Sequence, residues 1–369
     1  MIRVLFLIHD LGQGGAEKVL VNLVNNMNPQ KFDITVMALF GGGINEQFLS
    51  EDVHYKVVFP RMFSGNSKLM KLLSPRQLHK IFIKDEYDIE VSYLEGPSAR
   101  VISGCTNSNT KIVSWIHVEQ HTMNNLARSF RNEDEAKKCY NRFDQTICVS
   151  DYVRNDFCKI LDLKKPCITL YNTVESEMIL SASYETVDDM NDDADIHLVA
   201  VGTLKPSKGY ERLLRIAKRL NDEKYSIHLY ILGTGPLQQK LEKYITENGL
   251  EKTVTLLGYQ TNPYKYVAKC DLLVCASYAE GFSTAATEAL IVGTPVCTVD
   301  VSGMKEMLGE NNEYGVVTPN DEEELYKGIK KLLDDKECLE SYKNKALERG
   351  KMFNTYNTVK AVEDMLLEL

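Results

Sequence analysis

Short apolar runs of strand length alternate with longer stretches of helical spacing along almost the whole chain. Val4-Leu5-Phe6-Leu7-Ile8 is one such run. After Gly12-Gln13-Gly14-Gly15, the residues Ala16, Val19, Leu20, Leu23, Val24 and Met27 share one helical face, and Pro29 lies past the end of that helix. Further strands are predicted at Ile34–Leu39, Ile89–Tyr93, Ile112–Ile116 and Thr146–Val149. Strands that read as unbroken apolar runs are buried on both faces, and strands separated by helices pair in parallel. The first half is therefore expected to be a doubly wound parallel α/β sheet.

The same alternation restarts after an acidic interval, Glu185–Asp195, which holds Asp188, Asp189, Asp192, Asp193 and Asp195 and has little to bury. Strands are predicted at Leu198–Val201, Ile227–Leu232, Val254–Leu257, Leu272–Cys275 and Val296–Val299. Helices are predicted at Gly209–Leu220, Leu237–Glu247, Thr284–Val292 and Glu322–Leu333, with an amphipathic helix at Thr358–Leu369 closing the chain. At 369 residues the chain exceeds one ordinary core and suits two. The expected division is a first domain over 1–180, an acidic linker over 181–196, a second domain over 197–353 and a closing helix over 354–369.

Composition narrows the class. A chain 44% hydrophobic and 26% charged is globular. No apolar run reaches the roughly 18 residues of a membrane span, and Met1–Ile8 reads as a first strand, not a signal peptide. The nine cysteines include no Cys-x-x-Cys, which argues for packing in a reducing, cytoplasmic compartment and against a disulfide framework or a zinc site. A net charge of -9 disfavours nucleic acid as a partner. One stretch departs from that balance. Between Lys56 and Lys84 there is no acid, while Lys56, Arg61, Lys68, Lys71, Arg76, Lys80 and Lys84 are interleaved with Met62, Phe63, Leu69, Met70, Leu72, Leu73, Ile81 and Phe82. Such a segment fits a peripheral contact with an anionic membrane surface, or a solvated helix and loop with an ordinary buried side.

Candidate chemistry gathers at predicted strand ends. Glu280 and Glu288 bracket the junction between the strand Leu272–Cys275 and the helix that Gly293-Thr294-Pro295 stops. Open α/β sheets bind ligands at the carboxyl ends of their strands. A helix rises about 1.5 Å per residue, so two carboxylates with seven residues between them suit the two ends of an extended ligand better than shared work on one bond. The amides of the helix start between them invite a phosphate. Gly202-Thr203-Leu204-Lys205-Pro206-Ser207-Lys208-Gly209 also follows a strand and opens a helix. Gly233-Thr234-Gly235-Pro236 is a tight turn that fails as a dinucleotide fingerprint, because Gln238 stands where the third glycine belongs. That disfavours a dehydrogenase. His117 ends the predicted strand Ile112–Ile116; His117-Val118-Glu119-Gln120-His121 lacks the zinc-protease spacing, and no metal is expected. Asp193-Ala194-Asp195 reads as solvated linker charge.

Glu280-Gly281-Phe282-Ser283, then Glu288-Ala289-Leu290 and Gly293-Thr294-Pro295-Val296, resemble the nucleotide-sugar signature of retaining glycosyltransferase family 4. The element at Gly202 resembles that family's Gly-Arg-Leu-x-x-x-Lys-Gly, with Thr203 in place of the arginine and Lys205 nearby as a substitute. The resemblance implies a GT-B fold, two Rossmann-like domains facing across a cleft, with the last helix returning to the first domain. It implies that Lys208 grips the diphosphate and Glu280 the sugar hydroxyls, that Glu288 accepts from the ribose, and that His117 contacts the donor sugar or the transition state. Catalytic roles thus fall to His117, Glu280 and Lys208. Donor binding falls to Gly14, Gly15, Gly202, Thr203, Lys208, Gly233, Gly258, Tyr259, Gly281, Phe282, Ser283, Thr284 and Glu288. The resemblance places Gly258 and Tyr259 at the nucleobase, and Ser302-Gly303-Met304-Lys305-Glu306 in a sugar-side loop.

The expected activity is retaining transfer of a hexose or N-acetylhexosamine from a nucleotide sugar, a UDP-sugar by preference, to a saccharide acceptor carried on lipid, in surface polysaccharide or glycolipid synthesis. No metal or other cofactor is implied. Two alternatives stay open: a sugar-nucleotide epimerase on the same scaffold, and a non-catalytic nucleotide-sugar-binding partner of an active transferase.

Overall fold

The computed structural model describes every residue except Gln13, Asn191, Asp192, Gly281 and Ser302. It divides into two units, Met1–Val174 with Thr355–Leu369, and Glu175–Asn354. The first holds a seven-stranded parallel sheet: β1 (Ile2–Ile8), β2 (Phe32–Phe40), β3 (His54–Phe59), β4 (Ile89–Ser92), β5 (Lys111–Ile116), β6 (Gln145–Cys148) and β7 (Cys167–Thr169), in the order β3-β2-β1-β4-β5-β6-β7. The second holds six parallel strands: β8 (Ile196–Val201), β9 (Ile227–Leu232), β10 (Val254–Gly258), β11 (Leu272–Cys275), β12 (Val296–Val299) and β13 (Val316–Thr318), in the order β10-β9-β8-β11-β12-β13.

Both sheets reverse their winding beside their first strand, between β1 and β4 and between β8 and β11. At such a switch point the connections leave in opposite directions and open a crevice at the carboxyl ends of the strands. The central strands are buried along nearly their whole length, as their apolar runs require: Val4 through Ile8 are each 0% exposed. Strands β3, β7 and β13 carry no such signature. β3 is a largely exposed edge strand bearing Lys56, and β7 and β13 are three residues each.

Two features differ from the sequence expectation. The acidic segment is not a free linker. The helix Ser176–Ser183 buries Ile179 within the second unit. The chain beyond it is tied down where Asn262 donates to the Ala182 carbonyl at 2.9 Å and the Tyr266 hydroxyl to Asp189 at 3.0 Å. The boundary falls after Val174, and Asp192 of the acidic run lies outside the described residues. The basic stretch is also less uniformly cationic than its composition, because Asp85, just beyond it, pairs with Lys56 at 2.5 Å.

The closing helix Thr355–Leu367 packs on the first unit. It buries Val359, Val362 and Leu366, and Glu363 accepts from the backbone N–H of Asn28 at 2.6 Å.

Candidate active site

In the second unit the site grows from the loops that follow β8 and β11, the two strands flanking the switch point. After β8 the chain turns sharply at Gly202, whose φ of +149° only glycine adopts readily, and the Tyr210 hydroxyl donates to its carbonyl at 2.9 Å. The short 3-10 turn Pro206–Lys208 ends at Gly209, where a Cβ would lie 1.8 Å from the Ala276 carbonyl oxygen. That glycine lets the β8 loop lie directly against the β11 loop, and Lys208 reaches across. Its Nζ stands 2.6 and 2.8 Å from the two carboxylate oxygens of Glu280. The Ser277 hydroxyl donates to the same carboxylate at 2.6 Å. The depression beneath them is lined by Val201, Tyr210, Cys275, Ser277 and Ser283.

Buried Arg212 braces this loop from behind. It donates to the carbonyls of Ala276 at 2.7 Å and Ser277 at 2.9 Å, and its guanidinium lies 4.2 Å from the Tyr278 ring centroid. Neither Ser277 nor Arg212 was marked by the sequence, where Arg212 is one more cation on a helix.

The helix Thr284–Val292 starts at Ser283, whose side chain accepts from the Ala286 N–H at 3.3 Å. A helix start leaves its first amides, here those of Thr284 and Ala285, without intrahelical partners, and the helix adds its positive end. Glu288 lies one turn in, 8% exposed, with the Tyr264 hydroxyl at 3.5 Å. The Phe282 ring is buried, its centroid 5.8 Å from that of Phe353. Gly281 lies outside the described residues.

Gly233 and Gly258 end the two strands on the other side of β8. A Cβ at Gly233 would stand 2.1 Å from the Gly202 carbonyl oxygen, so these turns close on one another, and the Gly233 N–H donates to the Gly258 carbonyl at 2.7 Å. Thr203 is exposed, as is Tyr259 at 66%.

In the first unit, Gly14 caps the helix Gly15–Asn26, and a Cβ there would meet Glu17 Oε2 at 2.0 Å, so a larger residue would make that flexible side chain swing aside. Gln13 beside it lies outside the described residues. His117 follows β5 and is 5% exposed; its backbone N–H donates to Glu95 at 3.0 Å. Its ring stands 4.8 Å from that of Tyr93 and 6.2 Å from that of Trp115. Among the described residues, His117 Nε2 has no hydrogen-bond partner. Burial pushes the imidazole pKa down to about 3, so the ring is neutral at physiological pH.

Comparison with known proteins decides the family. The family model described as Glycosyl transferases group 1 matches residues 189–349, and that described as Glycosyltransferase Family 4 matches 13–177. An N-acetylgalactosamine-N,N'-diacetylbacillosaminyl-diphospho-undecaprenol 4-alpha-N-acetylgalactosaminyltransferase of Campylobacter jejuni is 30% identical, over 97% of this chain and 97% of its own. The chain belongs to glycosyltransferase family 4. Among solved structures, Anabaena HepE in complex with UDP and glucose superposes with a TM-score of 0.78 at 19% identity, each chain fully covered. Sucrose-phosphate synthase of Thermosynechococcus elongatus superposes with a TM-score of 0.78 at 17% identity, over 100% of this chain and 99% of its own. The fold of this family 4 glycosyltransferase is GT-B, two parallel sheets with flanking helices. No helix among the described residues is long and apolar enough to cross a membrane.

Proposed function

We propose that this glycosyltransferase moves a hexose or N-acetylhexosamine from a UDP-sugar to a lipid-linked saccharide, with retention at the anomeric carbon. The observation that carries the reading is the Lys208–Glu280 pair at the β8/β11 switch point, next to an open helix start. Cleavage at the anomeric carbon leaves negative charge on the diphosphate and positive charge on the sugar. Lys208 and the amides of Thr284 and Ala285 supply a field for the first, which grows in the transition state. Glu280 accepts from sugar hydroxyls and Glu288 from the ribose. Because that positive field comes from the protein, transfer needs no metal at the donor. In the first unit, neutral His117 offers Nε2 to a sugar hydroxyl. The leaving phosphate takes the acceptor proton, so no carboxylate nucleophile is required.

The UDP preference is supported by the UDP and UDP-glucose in the HepE structures. A lipid acceptor is supported by the diphospho-undecaprenol named for the Campylobacter relative. Place in surface-polymer synthesis is supported by a poly(ribitol-phosphate) alpha-N-acetylglucosaminyltransferase of Staphylococcus aureus, 25% identical over 45% of this chain. The basic segment supports peripheral contact with an anionic membrane. Leu69 and Leu72 are 49% and 75% exposed while Met70, between them, faces inward, and Met62 and Ile81 add 58% and 47% exposed apolar surface.

The test is incubation with UDP-sugars and a diphospho-polyprenyl saccharide, with the product anomer read by NMR. Transfer giving the donor's own anomeric configuration supports the reading. Turnover of the donor without an acceptor, or an inverted product, overturns it.

A further inference from the structure

The loop after β5 and the helix Asp151–Ile160 bring together three side chains that nothing in the proposed transfer uses. Glu119 Oε1 lies 3.7 Å from His121 Nδ1, and Asp156 Oδ1 lies 3.6 Å from it. All three groups offer a ligand atom within 4.8 Å of the other two. These separations are too long for hydrogen bonds. They are close to what one cation requires: two nitrogen or oxygen ligands at about 2.1 Å from a tetrahedral ion stand about 3.4 Å apart.

The surroundings hold these groups in place. The other oxygen of Asp156 accepts from the backbone N–H groups of Gln120 at 2.7 Å and His121 at 3.1 Å, which orients the carboxylate and leaves Oδ1 for the cluster. His121 has φ +58°, one of three non-glycine residues with positive φ among those described. That tight reversal presents residues 119 and 121 to the same point. The Glu119 and Asp156 side chains are only 14% and 15% exposed, whereas that of His121 is 62% exposed, so the open coordination positions face solvent.

We propose that Glu119, His121 and Asp156 form a binding site for a divalent transition-metal ion, with water or a ligand oxygen completing the shell. One imidazole with two carboxylates suits Zn²⁺, Co²⁺ or Mn²⁺ rather than a soft thiophilic ion. All three residues belong to the first unit, and the proposed transfer assigns none of them a role, so metal binding can be tested without assaying transfer. A second cluster, His79, Glu90 and Cys105, is different in kind: His79 Nε2 and Glu90 Oε2 are already hydrogen-bonded at 2.8 Å, and its third group is a thiol.

The experiment is titration of chelator-treated full-length protein with CoCl₂, followed by visible absorption and by thermal unfolding. One equivalent per chain is expected, with d–d bands but no thiolate-to-cobalt charge transfer. Saturation should raise Tm, since an ion that binds only the native state stabilises it. His121→Asn, which keeps a residue tolerant of positive φ, and Glu119→Gln should each weaken binding by about tenfold or more, as loss of even outer-shell support commonly does. Circular dichroism confirms that both fold. No saturable binding, affinity unchanged in both variants, or a thiolate charge-transfer band would each overturn the assignment.

Discussion

Lys208 carries three N–H donors and directs two of them at one carboxylate, which leaves the third for a ligand oxygen. Truncating it removes charge that matters most as the diphosphate departs, so Lys208→Ala should lower kcat as well as kcat/KM. Glu288→Ala should instead raise the donor KM by about ten- to a hundredfold, from the roughly 1.5–3 kcal/mol of a charge-assisted hydrogen bond. Steady-state kinetics with varied UDP-sugar separates the two, and unchanged donor kinetics in both variants would end these assignments. Two histidines set opposite pH dependences. For His79, burial alone would lower the pKa, but hydrogen bonds to Cys105 and Glu90 outweigh it and raise it to about 9. Its contribution to stability is full below the unfolded value of about 6.5 and is lost as pH rises through about 9. The pKa of His117 is depressed to about 3 by burial, so keeping it neutral favours the fold above about 6.5 and ceases to do so as pH falls toward 3. The Tm gap between wild type and His79→Gln should therefore shrink between pH 6.5 and 9; a gap that widened there would contradict the paired, protonated ring. Neither pairing was legible in the sequence: Lys208 meets a residue 72 positions away, and His79, on a helix, meets one 11 positions on in strand β4.

At the scale of elements, the turns at the strand ends are built for close approach. Gly233 has φ +137° and no room for a methyl group beside the Gly202 carbonyl. Gly233→Ala, unlike a glycine replacement at an unstrained site, should destabilise by at least about 1–3 kcal/mol, because it combines backbone strain with a steric clash. Urea denaturation gives that number, and weakened donor binding should accompany it because the β8 loop must shift. The long buried strands and the helix Thr284–Val292 were readable from apolar runs and end signals, since both reflect local spacing. The strands β3, β7 and β13 were not. Three-residue strands have no period to detect, and β3 alternates too weakly because much of it faces solvent. Phe282, inside the ligand signature, has a ring packed against Phe353, a contact 71 positions away that no local pattern announces.

At the scale of the whole molecule, the first unit is discontinuous in sequence. Removing 355–369 would uncover the apolar surface now covered by Val359, Val362, Met365 and Leu366 and leave Asn28 without its carboxylate partner. The truncated protein should show a lower Tm, and equal unfolding curves would refute the helix's structural role. The exposed apolar and basic face is likewise a property of the assembled unit. Arg100 and Arg131 donate to the carbonyls of Met70, Lys71, Leu72 and Leu73, which fixes the end of the helix Asn66–Leu72 with Leu69 and Leu72 outward. Leu72→Asp combined with Lys68→Glu should reduce flotation with anionic liposomes several-fold while leaving neutral liposomes unaffected. Equal flotation of the double variant would remove the membrane contact from the proposal.

The order of residues by itself determined the alternating α/β character, the repetition of that pattern in two halves, the glycines at strand ends and the motifs that carry the family likeness. Each of these is a local pattern, written within a window no longer than one element and its turn. Only the tertiary structure decided which loops face each other. β8 pairs with β11, not with β10, so Lys208 finds Glu280 across the switch point. The same kind of long-range packing carries Asp156 to the loop of Glu119 and His121 and leaves His117 buried and neutral. Such juxtapositions depend on strand order and on burial, which are settled by the free energy of the whole packed unit and not by the spacing of neighbouring residues.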